Sequence, residues 1–86
     1  MNAFAGSEKE QDCKVTVEPK TTGGINVYLN SRLKHMFGKQ MAESAIKGAK
    51  EMGMKHCNII INDYNSLDFV IKARTKTAIR KLREAK

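Results

Sequence analysis

The side chains able to do chemistry in this sequence are few and scattered. His35, His56, Cys13 and Cys57 are of metal-ligand type, but zinc needs three or four converging donors. Neighbours on a strand point to opposite faces, so His56 and Cys57 cannot bind one ion, and no metal site is expected. Neither serine nor cysteine sits in a nucleophile elbow, and no His/Asp pairing can be assigned. "FGKQ" and "TTGG" lack the glycine spacing and the Lys-Ser/Thr of a phosphate-binding loop. An autonomous enzyme is not indicated. What remains is a polar stretch, "AGSEKEQD" at residues 5–12, with one hydroxyl, Ser7, among the carboxylates of Glu8, Glu10 and Asp12.

The second feature is a basic tail. Between Lys72 and Lys86 stand Lys72, Arg74, Lys76, Arg80, Lys81, Arg83 and Lys86 against a single acid, Glu84. The whole chain carries +7 at pH 7, with a pI near 9.7, so its partners should be acidic: nucleic acid, a nucleotide-bearing cofactor or an acidic subunit. A small nucleic-acid-binding module using the C-terminal helix is one reading, and it would bind with strong salt dependence. Against it, Tyr28 and Tyr64 are isolated and no aromatic pair on a strand offers a base-stacking platform.

The elements that must position these residues follow from periodicity. Cys13, Val15 and Val17 alternate with Lys14, Thr16 and Glu18, a half-buried strand that Pro19 ends. Gly23-Gly24 then suits a tight connection to a second strand with Ile25, Val27 and Leu29 on one face, so the pair reads as a hairpin. Asn30 or Ser31 can cap a helix in which Met41, Ala42, Ala45, Ile46, Ala49 and Met52 recur at helical spacing, continuous or bent at Gly38 and stopping at Gly53. Met36, Met41 and Met52 read first as flexible core filling. "HCNIIIND" is a third strand, the densest β-branched cluster in the chain. In "LDFVIKAR", residues 67–74, Leu67, Phe69, Ile71 and Ala73 alternate with Asp68, Val70, Lys72 and Arg74, which predicts a fourth strand antiparallel to the third; a helix from Ser66 onward competes. The rest of the tail is an amphipathic helix.

The predicted order is β-β-α-β-β-α: an α+β two-layer sandwich, with an antiparallel four-stranded sheet and two helices on one face. Residues 1–12 read as a flexible N-terminal segment and 13–86 as a single domain. At 86 residues the chain buries only roughly 60–65% of its unfolded surface, too little to enclose a large cleft. No apolar run approaches the roughly 18–20 residues of a membrane helix, and two cysteines 44 positions apart make no disulfide framework. The expected compartment is the cytosol, without membrane association.

Taken in order, "AGSEKEQD" with "VTVEP", "INVYLNS", "FGKQM" and "NDYNSLDFVIKAR" resemble the acyl-carrier (gamma) subunit of citrate lyase, a family with a more distant cousin in the carrier subunit of malonate decarboxylase. The last stretch is similar to that family's "DDKGALDCVIRAR", with Leu67, Asp68, Val70, Ile71, Ala73 and Arg74 in register. The resemblance runs from Ala5 to about Arg80. It implies a non-catalytic carrier within a complex of larger lyase and transferase subunits. It also implies a triphosphoribosyl-dephospho-coenzyme A arm held on a serine through a phosphodiester, with the acyl group on the arm's thiol. Tethering of that kind raises the local thioester concentration at both partner sites. Lys72 and Arg74 would then contact acidic groups of a partner or of a nucleotide arm, or make salt bridges at a strand end.

One departure bears on function. The family's attachment pattern reads Ala-Gly-Thr-x-Glu-Ser-x-Asp. Laid on Ala5, Gly6 and Asp12, it puts Glu10 at the serine and Lys9 at the glutamate. A serine forms a stable phosphoester, whereas a carboxylate would form an acyl phosphate that water destroys, so Glu10 is not expected to carry the group. Ser7 is the only hydroxyl in the segment and could serve only if the loop slid by three residues. The chain therefore reads as a diverged carrier that keeps the scaffold and has lost or moved the arm.

Overall fold

The computed structural model describes residues 2–85; Lys86, one of the seven basic residues of the tail, lies outside them. Four strands and two helices follow in the order β1 (Ala3–Gly6), β2 (Asp12–Pro19), β3 (Ile25–Asn30), α1 (Lys34–Glu51), β4 (Cys57–Tyr64) and α2 (Asp68–Glu84). The sheet order is β1-β2-β4-β3. Pairs β1–β2 and β2–β4 are antiparallel, whereas β3 and β4 run parallel. The α+β class and the four-stranded sheet with two helices match the sequence reading, but the sheet is mixed and the element order is β-β-β-α-β-α.

Three local expectations are corrected. Residues 67–74 are not a strand, because α2 begins at Asp68. Leu67 and Phe69, whose alternation suggested a strand, are exposed, and burial falls instead on Ile71, Thr75, Ala78, Ile79 and Leu82, a helical period. Thr75 tolerates full burial because its hydroxyl donates to the Ile71 carbonyl at 2.8 Å. Second, β2 and β3 do not form a hairpin: Gly23 and Gly24 do have positive φ, but the connection passes over the start of β4. There Lys20 N–H donates to the His56 carbonyl (3.1 Å), Gly24 N–H to His56 Nδ1 (2.9 Å) and Cys57 N–H to the Gly24 carbonyl (3.0 Å). Third, residues 3–6, left out of the sheet by the sequence reading, form its edge strand, with Ala3 opposite Val17 and Ala5 opposite Val15.

The interior place of β4 has a physical cause. Cys57, Ile59 and Ile61 are buried under the helices, and Ile60 on the opposite face is flanked in register by Thr16 and Tyr28. A strand with one face wholly buried and Ile60 on the other is better covered between two neighbours than at an edge. The parallel β3–β4 pair requires a long crossover, which the 18 residues of α1 supply. Helix α1 continues through Gly38 and Gly48. At Gly48 the lost helix propensity is offset by close approach: a Cβ there would sit 3.1 Å from the Lys72 carbonyl of α2. Together Val15, Val17, Met41, Ala45, Ile59 and Ile79 are at the heart of one core.

Candidate functional site: the β1–β2 turn

The stretch at residues 5–12 folds as the end of β1, a turn, and the start of β2. Gly6 has φ +94, and a Cβ on it would fall 1.8 Å from the Cys13 carbonyl oxygen, so only glycine lets the two strands close here. Ser7 N–H donates to the Cys13 carbonyl (3.2 Å) and Asp12 N–H to the Lys9 carbonyl (3.1 Å). Gln11, itself at φ 66, donates its N–H to the Tyr64 carbonyl at 2.6 Å, which pins the turn to the end of β4.

At the foot of the turn Ser7, Asp12 and Arg74 meet. Ser7 Oγ donates to Asp12 Oδ2 at 2.7 Å. Arg74, from the second turn of α2, approaches both carboxylate oxygens, with Nε 3.2 Å from Oδ1 and a terminal nitrogen 3.3 Å from Oδ2. The Cys13 amide also donates to Oδ1 at 2.7 Å. Burial alone would push the Asp12 pKa up; the Ser7 hydroxyl, the Cys13 amide and the Arg74 guanidinium outweigh it and hold the carboxyl below its usual range. Ser7 as a residue is half-buried, and its hydroxyl proton is engaged by Asp12.

The tip of the turn is different. Glu10 is exposed, and its Oε1 accepts from Asn65 Nδ2 at 2.6 Å. Glu8 accepts from the Tyr64 hydroxyl at 2.8 Å, a bond that raises the Tyr64 pKa. Beneath lies a polar depression of about 230 Å³, with Glu10, Ser31, Arg32, Asp63 and Asn65 in its wall. Asp63, only 6% exposed, accepts from Ser31 Oγ at 2.8 Å and from both the amide (3.0 Å) and the hydroxyl of Ser66. It thereby ties the approaches to both helices to the end of β4.

Of the residues singled out in the sequence, Ser7 and Arg74 come together and Glu10 stands at the exposed tip above them. Lys72 does not join them: it lies on the α1 side of α2, 2.6 Å from Glu51, which also receives Lys76 at 3.3 Å. Both 72 and 74 are helical positions, so the salt bridges at a strand end are instead helix-borne pairs. Sequence reasoning missed Asp12 as the hub and Asp63 as the anchor; the acid-rich run 8–12 was the one signal for the former, and nothing local marked the latter. Among the described residues no cluster of His, Cys, Asp and Glu could hold a metal, and no helix is long and apolar enough to cross a membrane. Both cysteines are buried free thiols, and desolvation pushes the Cys13 pKa up to about 11.

Residues 1–82 match the family model described as malonate decarboxylase delta subunit (MdcD). A citrate lyase acyl carrier protein from Fusobacterium nucleatum is 35% identical over 94% of this chain and 86% of its own length. Another, from Streptococcus mutans, is 37% identical over 94% of this chain and 79% of its own, and one from Halothermothrix orenii is 35% identical over 92% and 83%. No solved structure matches. A compact α+β scaffold presenting a loop at one end, over a likeness that spans nearly the whole chain, leads to one assignment: the chain belongs to the family of the citrate lyase acyl carrier protein and the malonate decarboxylase delta subunit.

Proposed function

We propose that this chain is the carrier-type, non-catalytic subunit of a citrate-lyase-like assembly, binding larger lyase and transferase subunits, and that it bears no phosphodiester-linked arm at residue 10. The observation that carries the second half is the division of labour within the β1–β2 turn. Its exposed tip holds a carboxylate, Glu10, and its one hydroxyl, Ser7, is half-buried at the foot and donates to Asp12. A triphosphoribosyl-dephospho-coenzyme A group needs an accessible alcohol for a durable ester, and the residues of the turn do not fit it. Arg74 then serves the turn itself, as the partner of Asp12.

The test is the intact mass of the protein purified from its natural host together with whatever it binds. The expected result is the mass of the bare polypeptide in the company of larger subunits. An adduct of cofactor size mapped to Ser7 overturns the statement about the arm. Absence of larger subunits across purifications at low salt overturns the carrier-subunit reading.

A further inference from the structure

Charge is segregated on this molecule and the larger share of its exposed apolar side chains is grouped at one end of the helix layer, and on the premise that it is a subunit of a larger assembly these features point to where a partner binds. Helix α1 has four lysines against Glu43 and Glu51, and α2 has six Lys or Arg against Asp68 and Glu84. The two helices thus carry +6 of the chain's +7, leaving +1 for all the strands, turns and ends. The face of the sheet away from the helices is close to neutral and rich in amides, with Asn26, Asn58 and Asn62 in register across β3 and β4 beside Lys14 and Glu18 of β2.

The exposed apolar side chains are divided between the layers: Phe4 (52%) and Tyr28 (57%) lie on the sheet, in register across it with Thr16 and Ile60, whereas the other four are grouped at one end of the helix layer. Met36 (75% exposed), Phe37 (41%), Leu67 (62%) and Phe69 (64%) all sit at the N-terminal ends of the two helices. Phe37 and Leu67 line one groove with Leu33 and Met41. From Phe69 the outer stripe of α2 continues through Lys76, which also pairs with Glu51, to Arg80, and on α1 Lys47 and Lys50 flank Ile46 with Glu43 and Glu51 beside them. Asn65, which holds the tip of the β1–β2 turn through Glu10, is two residues from Leu67, so a protein seated in the groove would reach the turn as well.

We propose that the helix layer is the docking face for an acidic partner segment. Its apolar anchors would enter the Phe37–Leu67 groove and its carboxylates would lie over Lys47, Lys50, Lys76 and Arg80. A second copy of the chain is disfavoured, because it would bring a like-charged layer against this one. A groove walled by Leu33, Phe37, Met41 and Leu67, with Asp68 also in its lining, suits an aliphatic side chain better than a phosphate backbone, which that carboxylate would repel. The occupant is therefore a protein segment rather than nucleic acid.

The test uses the full chain in two settings. In the assembly from its host, Phe69→Ser and Arg80→Glu should each reduce recovery of the larger subunits at least tenfold, while Tyr28→Ser on the open sheet face leaves it unchanged. Both helix positions are exposed, and Arg80 makes no hydrogen bond or ion pair among the described residues, so these variants should fold. Undiminished recovery with both helix variants, or loss with Tyr28→Ser, overturns the proposal. Independently, a synthetic Glu-rich helical peptide with leucines on one face is titrated into the isolated chain and followed by NMR. Amide shifts are expected at residues 33–50 and 66–80, with at least tenfold weaker binding to both helix variants. Shifts confined to the sheet face, no binding at millimolar peptide, or tighter binding of a dT oligonucleotide of equal length overturns it, the last by assigning nucleic acid. If the wild-type chain retains no subunits, the carrier-subunit reading fails and the peptide titration alone decides the docking face.

Discussion

Arg74 on α2 and Asp12 at the start of β2, 62 positions apart in the chain, form an ion pair with Nε 3.2 Å from Oδ1, and the same carboxylate accepts the Ser7 hydroxyl. This contact joins the last helix to the turn in which the chain departs from the family's attachment pattern. Because Arg74 is about two-fifths exposed, solvent screens the pair, and Arg74→Ala is expected to cost only about 0.5–1 kcal/mol in urea denaturation. Its larger effect should be local, as faster amide exchange at Ser7 and Asp12. Arg74→Lys should restore little of that order, since an ammonium cannot span both oxygens.

The pH dependence of the same contact has a definite sign. The Asp12 carboxyl is held below its usual value of 3.8 in the folded protein, so its contribution is fully present above that value and fades as pH falls through the lower folded value. The stability difference between the wild type and Asp12→Asn should be constant from neutral pH to about pH 5 and shrink in stronger acid. Denaturation midpoints of the two proteins measured in parallel from pH 7 to pH 2 check this; a difference that grows towards acid would contradict the assignment.

Gly6 and Gly24 both have positive φ, but only at Gly6 would a Cβ collide with backbone, 1.8 Å from the Cys13 oxygen; at Gly24 nothing lies within 4 Å. Gly6→Ala should therefore destabilise by about 3 kcal/mol or more, and Gly24→Ala by about 1 kcal/mol. Comparable losses at the two positions would refute the close approach of β1 to β2.

Asp63 is the buried acceptor for Ser31 and Ser66. Asp63→Ala strands two hydroxyls and an amide at once, and a loss of about 3 kcal/mol is expected, against about 1 kcal/mol for Ser31→Ala. Hydrogen exchange at the Ser66 amide should accelerate in the first variant and not in the second.

The thiols of Cys13 and Cys57 are fully buried, and burial raises both pKa values. Iodoacetamide at pH 8 should leave the native protein unmodified and label both residues in urea, as read by intact mass.

Restoring the family pattern supplies a gain-of-function test. With Lys9→Glu and Glu10→Ser, the turn offers an exposed alcohol where the tip now carries a carboxylate. The double variant should gain the mass of the arm when incubated with the loading enzyme and cofactor of a relative, while the wild type does not. Failure of the variant to load would mean that more than the hydroxyl has departed.

Local pattern alone determined much of this molecule. The alternation of Cys13, Val15 and Val17 and the β-branched cluster of "HCNIIIND" marked two strands, and the spacing of Met41, Ala45 and Ala49 marked a helix; the first strand and the helix have their predicted sides buried. What a carboxylate at residue 10 can form is likewise independent of tertiary structure, because ester stability depends on the atom offered and not on the fold. Tertiary structure decided the rest. Periodicity tells which face is buried but not against what, so it could not place β4 between β2 and β3 or turn the expected hairpin into strands separated by a third. At residues 67–74 both periods were present. The helix prevailed because Ile71 continues the buried stripe of Thr75, Ala78 and Ile79 beneath α2, at the cost of exposing Leu67 and Phe69. Arg74 met Asp12 for the same reason: only once α2 lies across β1 and β2 does a side chain near the end of the sequence reach a turn near its beginning.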